Sequence, residues 1–362
     1  MTVTRYPTLG YVGPTVLRNK MTGIVMERWN NQMIAATSSP FTIQKSTDGG
    51  ETWVEKHSEA HPNRNARLNF EDSRGYLFLG TALTSNNATI LRSIDDGETW
   101  ETVLTCDSDS AWYMIERDNG DLYLNEYNSS NTVKFAYNVW KSDDDGATWT
   151  KFYTHPPGPD PSDLTNRTMR HFHMLCRDSD DQMYITLGHG LDAGAYKLND
   201  NGTLGDNIGD YPTGDGASKG GGLTGFAQAD NGDMFFTPDN YPSCIYKYVP
   251  EATDIDDKLV NVYDVESQFG SDRNSFMLGM SKGRYGVLYA VGNGTIANRP
   301  FLLMSGDDGA TWVYVNFTDE KVRPTFISIS QSSTPRIHID QGINRPFVTL
   351  PDYTKAQVLN FQ

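Results

Sequence analysis

The chain has 362 residues and carries 30 Lys and Arg against 46 Asp and Glu, giving a net charge of −16 and a pI of about 4.8. That balance excludes a general nucleic-acid binder, whose affinity comes from neutralising phosphates with cations. With 33 Gly, 17 Pro, 12% aromatic and only 21% charged residues, the composition excludes a disordered tail or a helical bundle and describes one large, turn-rich β domain spanning 1–362.

Alternating apolar segments start near Ile24, Arg67, Ala111, His171, Leu223, Met277 and Phe326 and predict seven inner strands. Between them run short turns such as Asp118-Asn119-Gly120 and Asp230-Asn231-Gly232. These hand over to returning strands at Asp121-Leu-Tyr-Leu-Asn125 and Asp233-Met-Phe-Phe-Thr237. One longer pattern, S-x-D-x-G-x-T-W, recurs at Ser46–Trp53, Ser93–Trp100, Ser142–Trp149 and Ser305–Trp312, in steps of 47, 49 and 163 residues. The wide step leaves room for two eroded copies, Asn199-Asp200-Asn201-Gly202-Thr203 and Tyr248–Thr253. In this motif Asp accepts backbone N–H bonds inside a tight turn, Gly takes the positive-φ position, and Trp packs as the next strand begins.

These repeats resemble the Asp-box, or BNR repeat, of sialidase-like β-propellers, in which the box is structural; its aspartates are therefore not catalytic candidates. Four-stranded antiparallel blades that cannot bury their faces alone would stack in a ring, and the seven units predict an all-β, seven-bladed β-propeller. Six blades is the usual sialidase count. It remains the alternative if Phe326–Gln362 only completes the first blade.

In such a ring the inner strand begins, and the second strand ends, at one rim. The long segments Tyr153–Met169, Gly205–Gly222 and Glu251–Asn274 are expected as loops there. Seven short windows at that rim hold eight basic residues, Lys20, Arg64, Arg67, Arg170, Lys219, Arg273, Lys321 and Arg323, where composition alone predicts about two or three. A basic rim on an acidic protein points to an anionic ligand. Arg suits carboxylates, and the aromatic rings of Trp112, Tyr127 and Tyr241 suit sugar faces. Arg64, Arg67, Trp112, Arg170, Lys219, Arg273 and Arg323 are the expected substrate-binding set. Ser218-Lys219-Gly220-Gly221 lacks the order of a P-loop.

The densest constellation is Arg170-His171-Phe172-His173 with Gly188-His189-Gly190. His171 and His173 should share a face, and the returning strand should bring His189 beside His171. Such a corner is a candidate for zinc or manganese, held by His171, His173 and His189, or for an acid–base centre.

The Arg-Ile-Pro motif of sialidases is missing, which argues against a sialidase proper. The architecture is also similar to seven-bladed polysaccharide lyases. That likeness implies β-elimination on a uronate, with Arg170 or Arg64 on the carboxylate, His171 or His173 as base, and Tyr127 or Tyr241 as acid. A glycoside hydrolase would instead use Glu126 and Asp239. The contrasting class is a non-catalytic glycan-binding module, such as a virion fibre tip or a cell-surface adhesin.

Six N-x-S/T sequons, at Asn87, Asn128, Asn166, Asn201, Asn293 and Asn316, suggest an extracellular or virion-surface setting. The start MTVTRYPTLGYVGP lacks the pattern of a signal peptide, and no stretch is apolar enough to predict membrane insertion. Cys106, Cys176 and Cys244 are too scattered for a disulfide framework and are expected as buried thiols.

Overall fold

The computed structural model describes residues 23–27, 32–37, 41–48, 51–59, 64–83, 87–128, 137–156, 171–188, 192–210, 222–238, 244–265, 276–293, 300–316, 326–329, 336–340, 348–351 and 353–359. They form seven consecutive antiparallel units. The first holds β1 to β4 (Gly23–Glu27, Met33–Thr37, Phe41–Ser46, Val54–Glu59), and the second β5 to β8 (Arg64–Glu71, Leu77–Leu83, Thr89–Ser93, Glu101–Thr105). The third holds β9 to β12 (Ser110–Glu116, Leu122–Tyr127, Asn138–Ser142, Thr150–Thr154), and the fourth β13 to β16 (His171–Arg177, Met183–Gly188, Gly194–Leu198, Leu204–Asp210). The fifth holds β17 to β20 (Leu223–Gln228, Met234–Pro238, Cys244–Tyr248, Leu259–Asp264), and the sixth β21 to β24 (Phe276–Lys282, Leu288–Asn293, Pro300–Ser305, Val313–Asn316). The seventh has three described strands, β25 to β27 (Phe326–Ile329, Arg336–Asp340, Val348–Pro351), followed by the short helix α1 (Lys355–Leu359).

Each inner strand touches the inner strand of the next unit, from β1 and β5 through to β21 and β25, and β1 meets β26 across the remaining seam. The all-β propeller follows from these contacts. Second strands are buried most completely, because a neighbouring unit covers each face: β14, Met-Tyr-Ile-Thr-Leu-Gly, is buried at every position. Outermost strands such as β4, Val-Glu-Lys-His-Ser-Glu, are mostly exposed or half-buried. Apolar clusters lie between units; one joins Met174 and Tyr184 of the fourth to Phe236 and Tyr246 of the fifth.

The S-x-D-x-G-x-T-W segments are the turns between third and fourth strands. Asp48, Asp95, Asp144 and Asp307 accept the backbone N–H of Thr52, Thr99, Thr148 and Thr311 at 2.8–2.9 Å. Hydrogen bonds from the Thr148 backbone and hydroxyl hold Asp144 below its usual carboxylate range. Two backbone positions of the turn are left-handed. Asp96, Asp145 and Asp308 stand at φ 61°, 63° and 57°, directly before Gly97, Gly146 and Gly309 at φ 79°, 78° and 86°.

Those glycines have a second function, because each lies against a second-strand side chain of the preceding unit. A Cβ on Gly97 would stand 2.7 Å from the Ile34 Cδ1, and one on Gly146 or Gly309 would collide with the Phe78 or Phe235 ring. The eroded copy at Asn199–Thr203 keeps the turn, with Gly202 at φ 74°. The copy at Tyr248–Thr253 has become a longer connection ending in a single 3-10 turn, Ile255–Asp257.

All three expected loops are in part strand: Tyr153 and Thr154 end β12. Gly205–Asp210 belongs to β16, and 259–264 form β20. Gly209 remains in an edge strand because Leu259 of the next unit packs where its Cβ would be.

Candidate functional site

Strand direction alternates, so the starts of the inner strands and the ends of the second strands share one rim, opposite the repeat turns. Register adds a feature invisible to simple alternation. In the second to sixth units the inner strand carries one extra residue at an equivalent place: Arg67, Trp112, His173, Thr224 and Leu278. A bulge of this kind bends the strand and re-aims the side chain it carries.

Three of these five residues build one continuous stack across three units. The Arg67 guanidinium carbon lies 5.7 Å from the Trp112 ring centre. Trp112 stacks on Tyr127 at 4.1 Å and 25°, and Tyr127 stacks on His171 at 4.1 Å and 24°. His171 meets His173 at 4.6 Å. Gly188, opposite His171 in the strand register, leaves the space that the His173 ring fills; a Cβ there would strike its Nε2.

With both rings neutral, the Asn128 carbonyl sets the tautomers of the pair. The Asn128 carbonyl accepts from His171 Nδ1 at 2.8 Å, so His171 Nε2 is left as an acceptor for His173 Nε2–H at 2.6 Å. Both rings are buried, at 2% and 1% exposure. Two imidazoles on one tetrahedral zinc hold their nitrogens about 3.3 Å apart at Zn–N bonds of about 2.0–2.1 Å, whereas this pair stands at hydrogen-bond distance. Among the described residues no group of three His, Cys, Asp or Glu side chains is placed to hold a metal. His189, the expected third ligand, lies outside the described residues.

Glu126, next to Tyr127, is engaged elsewhere. It is buried and accepts hydrogen bonds from Asp107 N at 2.6 Å, Asn138 Nδ2 at 2.9 Å and Trp140 Nε1 at 3.0 Å. Burial pushes its carboxyl above the usual range, against the pull of those donors. In this position Glu126 ties the second and third strands of its own unit to the turn at Asp107.

Arg64 opens β5 at the same rim where His171 opens β13. Arg170, Lys219, Asp239, Tyr241, Arg273 and Arg323, with Lys20 and Lys321, lie outside the described residues. The Asn125 side chain accepts from Tyr113 N at 3.0 Å beside the Trp112 bulge. Sequence reasoning missed the space that Gly188 leaves for His173. A glycine ending an otherwise buried second strand was the available signal for that.

No protein-family model and no curated protein sequence matches the chain. Among solved structures it is similar to the GH74 xyloglucanase from Xanthomonas campestris, at 13% identity and a TM-score of 0.59, over 93% of this chain and 55% of that one. It is similar to the α-L-arabinanase of Penicillium chrysogenum complexed with arabinobiose, at 12% identity and a TM-score of 0.54, over 92% and 99%. It is likewise similar to YCF48 bound to D1 peptide, at 13% identity and a TM-score of 0.56, over 91% and 92%. The chain spans about half the length of the xyloglucanase. Likeness at these identities shows the β-propeller fold.

Proposed function

We propose that the protein is a carbohydrate-directed β-propeller that recognises an acidic polysaccharide at the rim where the inner strands begin. The observation that carries this reading is the stack from Arg67 through Trp112 and Tyr127 to the paired histidines. It places a cation that no carboxylate among the described residues neutralises beside aromatic rings. In this reading Arg67 receives a uronate carboxylate and the half-buried Trp112 and Tyr127 meet the sugar. The xyloglucanase and the arabinanase complexed with arabinobiose, two of the similar structures, act on or hold carbohydrate, which supports the substrate class. The four repeat turns support a place among Asp-box, sialidase-like propellers. The sequons fit an extracellular or virion-surface setting.

The proton-sharing histidines against Tyr127 favour a catalytic form of the same reading. In a β-elimination a neutral imidazole takes the C5 proton of the uronate, Arg67 stabilises the resulting charge, and the Tyr127 hydroxyl protonates the leaving oxygen. The test is a panel of uronate-containing, sialylated and neutral polysaccharides, with binding, reducing ends and the absorbance of unsaturated products all followed. Saturable, salt-sensitive binding of a uronate polymer that weakens about tenfold in Arg67→Ala is expected. Absence of binding to every acidic polymer overturns the proposal. Binding without either product signal assigns the protein to the non-catalytic, receptor-recognition class.

A further inference from the structure

The bulges divide five of the inner strands, and the halves nearer the repeat turns line a chamber. A cavity of about 820 Å³ lies there, walled by Phe70, Met114, Met174, Phe226 and Met280 from five successive inner strands. Every one of these residues follows the bulged residue of its own strand, and none belongs to the histidine stack. Tyr113 marks the boundary: its hydroxyl donates to the Thr224 carbonyl, a chord from the third unit to the fifth that passes the fourth.

The mouth of this chamber is acidic. Glu71, Asp72 and Glu116 line it, and Arg177 is the one cation among the described residues of the lining. Arg74 pairs with Asp72 at 2.8 Å and reaches Glu116 at 3.9 Å, and Glu116 also accepts from Ser73 at 2.6 and 2.7 Å. Arg177 is already engaged by Asp118 at 2.6 Å and Asp181 at 3.1 Å. The five hairpin segments around the mouth, residues 69–76, 114–121, 175–182, 226–233 and 280–286, hold ten carboxylates against five cations. An excess of one sign focused by low-dielectric walls raises the local concentration of the opposite ion. Three methionines and two phenylalanines make a wall that adapts to an apolar body and interacts favourably with an aromatic one.

We infer that this chamber is a second ligand site, independent of the polysaccharide rim, which takes a small organic cation: an ammonium group carried on an aromatic or alkyl body. The apolar body lies against Phe70, Met114, Met174, Phe226 and Met280, and the ammonium stays at the mouth beside Glu71. The volume suits a small molecule, within the usual range of about 300–1,000 Å³ for such sites.

The probe is benzyltrimethylammonium, titrated calorimetrically into the full chain at low salt, with phenylacetate as the anion of matching shape. Expected is saturable one-to-one binding of the cation and none of the anion. Glu71→Gln should weaken the cation about fivefold to tenfold, as removal of one charge at contact distance in a partly screened site implies. Met280→Trp, which fills the chamber, should abolish binding while leaving the cooperative thermal transition in place. Equal binding of cation and anion, no saturable binding of the cation, or unchanged affinity in Glu71→Gln each overturns the inference. Should Met280→Trp fail to fold, the charge variant and the anion control still decide the question.

Discussion

Single residues in this propeller carry more than one constraint, and the glycines of the repeat turns show it most directly. Gly146 needs a left-handed backbone at φ 78° and also seats the Phe78 ring of the preceding unit. Gly146→Ala is therefore expected to cost about 2–4 kcal/mol, the left-handed strain and the overpacking together, read as a lower midpoint in urea unfolding. Glu126 gives a pH-dependent case. Burial raises its folded-state pKa above the ordinary value of 4.5, so the stability it confers is fully present below that value and is lost as pH rises through the folded one. Glu126→Gln removes the titration and turns an amide N–H2 toward existing donors, a loss of about 1–3 kcal/mol. The stability gap between wild type and variant should be widest near pH 4 and narrow toward pH 8 in paired denaturant titrations; a constant gap contradicts the assignment. The sequence made the turn glycine legible through its spacing. The direction of Glu126 was not legible, because adjacent positions on a strand differ only in which face they present, and the extra inner-strand residue Trp112 shifts which residue Glu126 pairs with.

Elements meet through the turns. Arg117, at the end of the third inner strand, bonds Asp181 at 2.8 Å and the Asp181 carbonyl at 3.1 Å, both in the fourth unit, and pairs with Asp200 in the eroded repeat. Arg74 likewise reaches from the second unit to Asp145, one of the left-handed aspartates of the third. The position before the turn glycine therefore supplies an ion-pair acceptor to a neighbour as well as a backbone conformation. Arg117→Ala is expected to lower stability by about 1–2 kcal/mol, and the loss should shrink in high salt; a double-mutant cycle with Asp181→Ala measures the coupling. The seven strand starts were readable from alternation and agree with the observed inner strands to within three residues. The bulges were not, since one inserted residue in a strand of mixed character changes no composition. They nonetheless decide which side chains reach the stack.

At the scale of the whole molecule, four near-identical turns and two eroded ones announced a repeat architecture, and the alternating apolar segments between them counted the seven units. Closure was beyond the sequence, because it depends on a contact between distant strands. The structure supplies it as β1 against β26. The helix α1 adds a clasp on the side of the repeat turns: Val358 is buried, and Lys355 bridges Asp230 of the fifth unit at 2.8 Å and Asp308 of the sixth at 2.7 Å. A circle of modules held by neighbour contacts has one junction joined late in synthesis, since its two sides are translated about 300 residues apart and closing so long a loop carries the largest entropic cost. Opening should therefore begin there. In native-state deuterium labelling, amides of β1 and β26 are expected to exchange ahead of those of β10 and β14. The order in which the backbone admits solvent would thus retrace, in reverse, the order in which the ring was assembled.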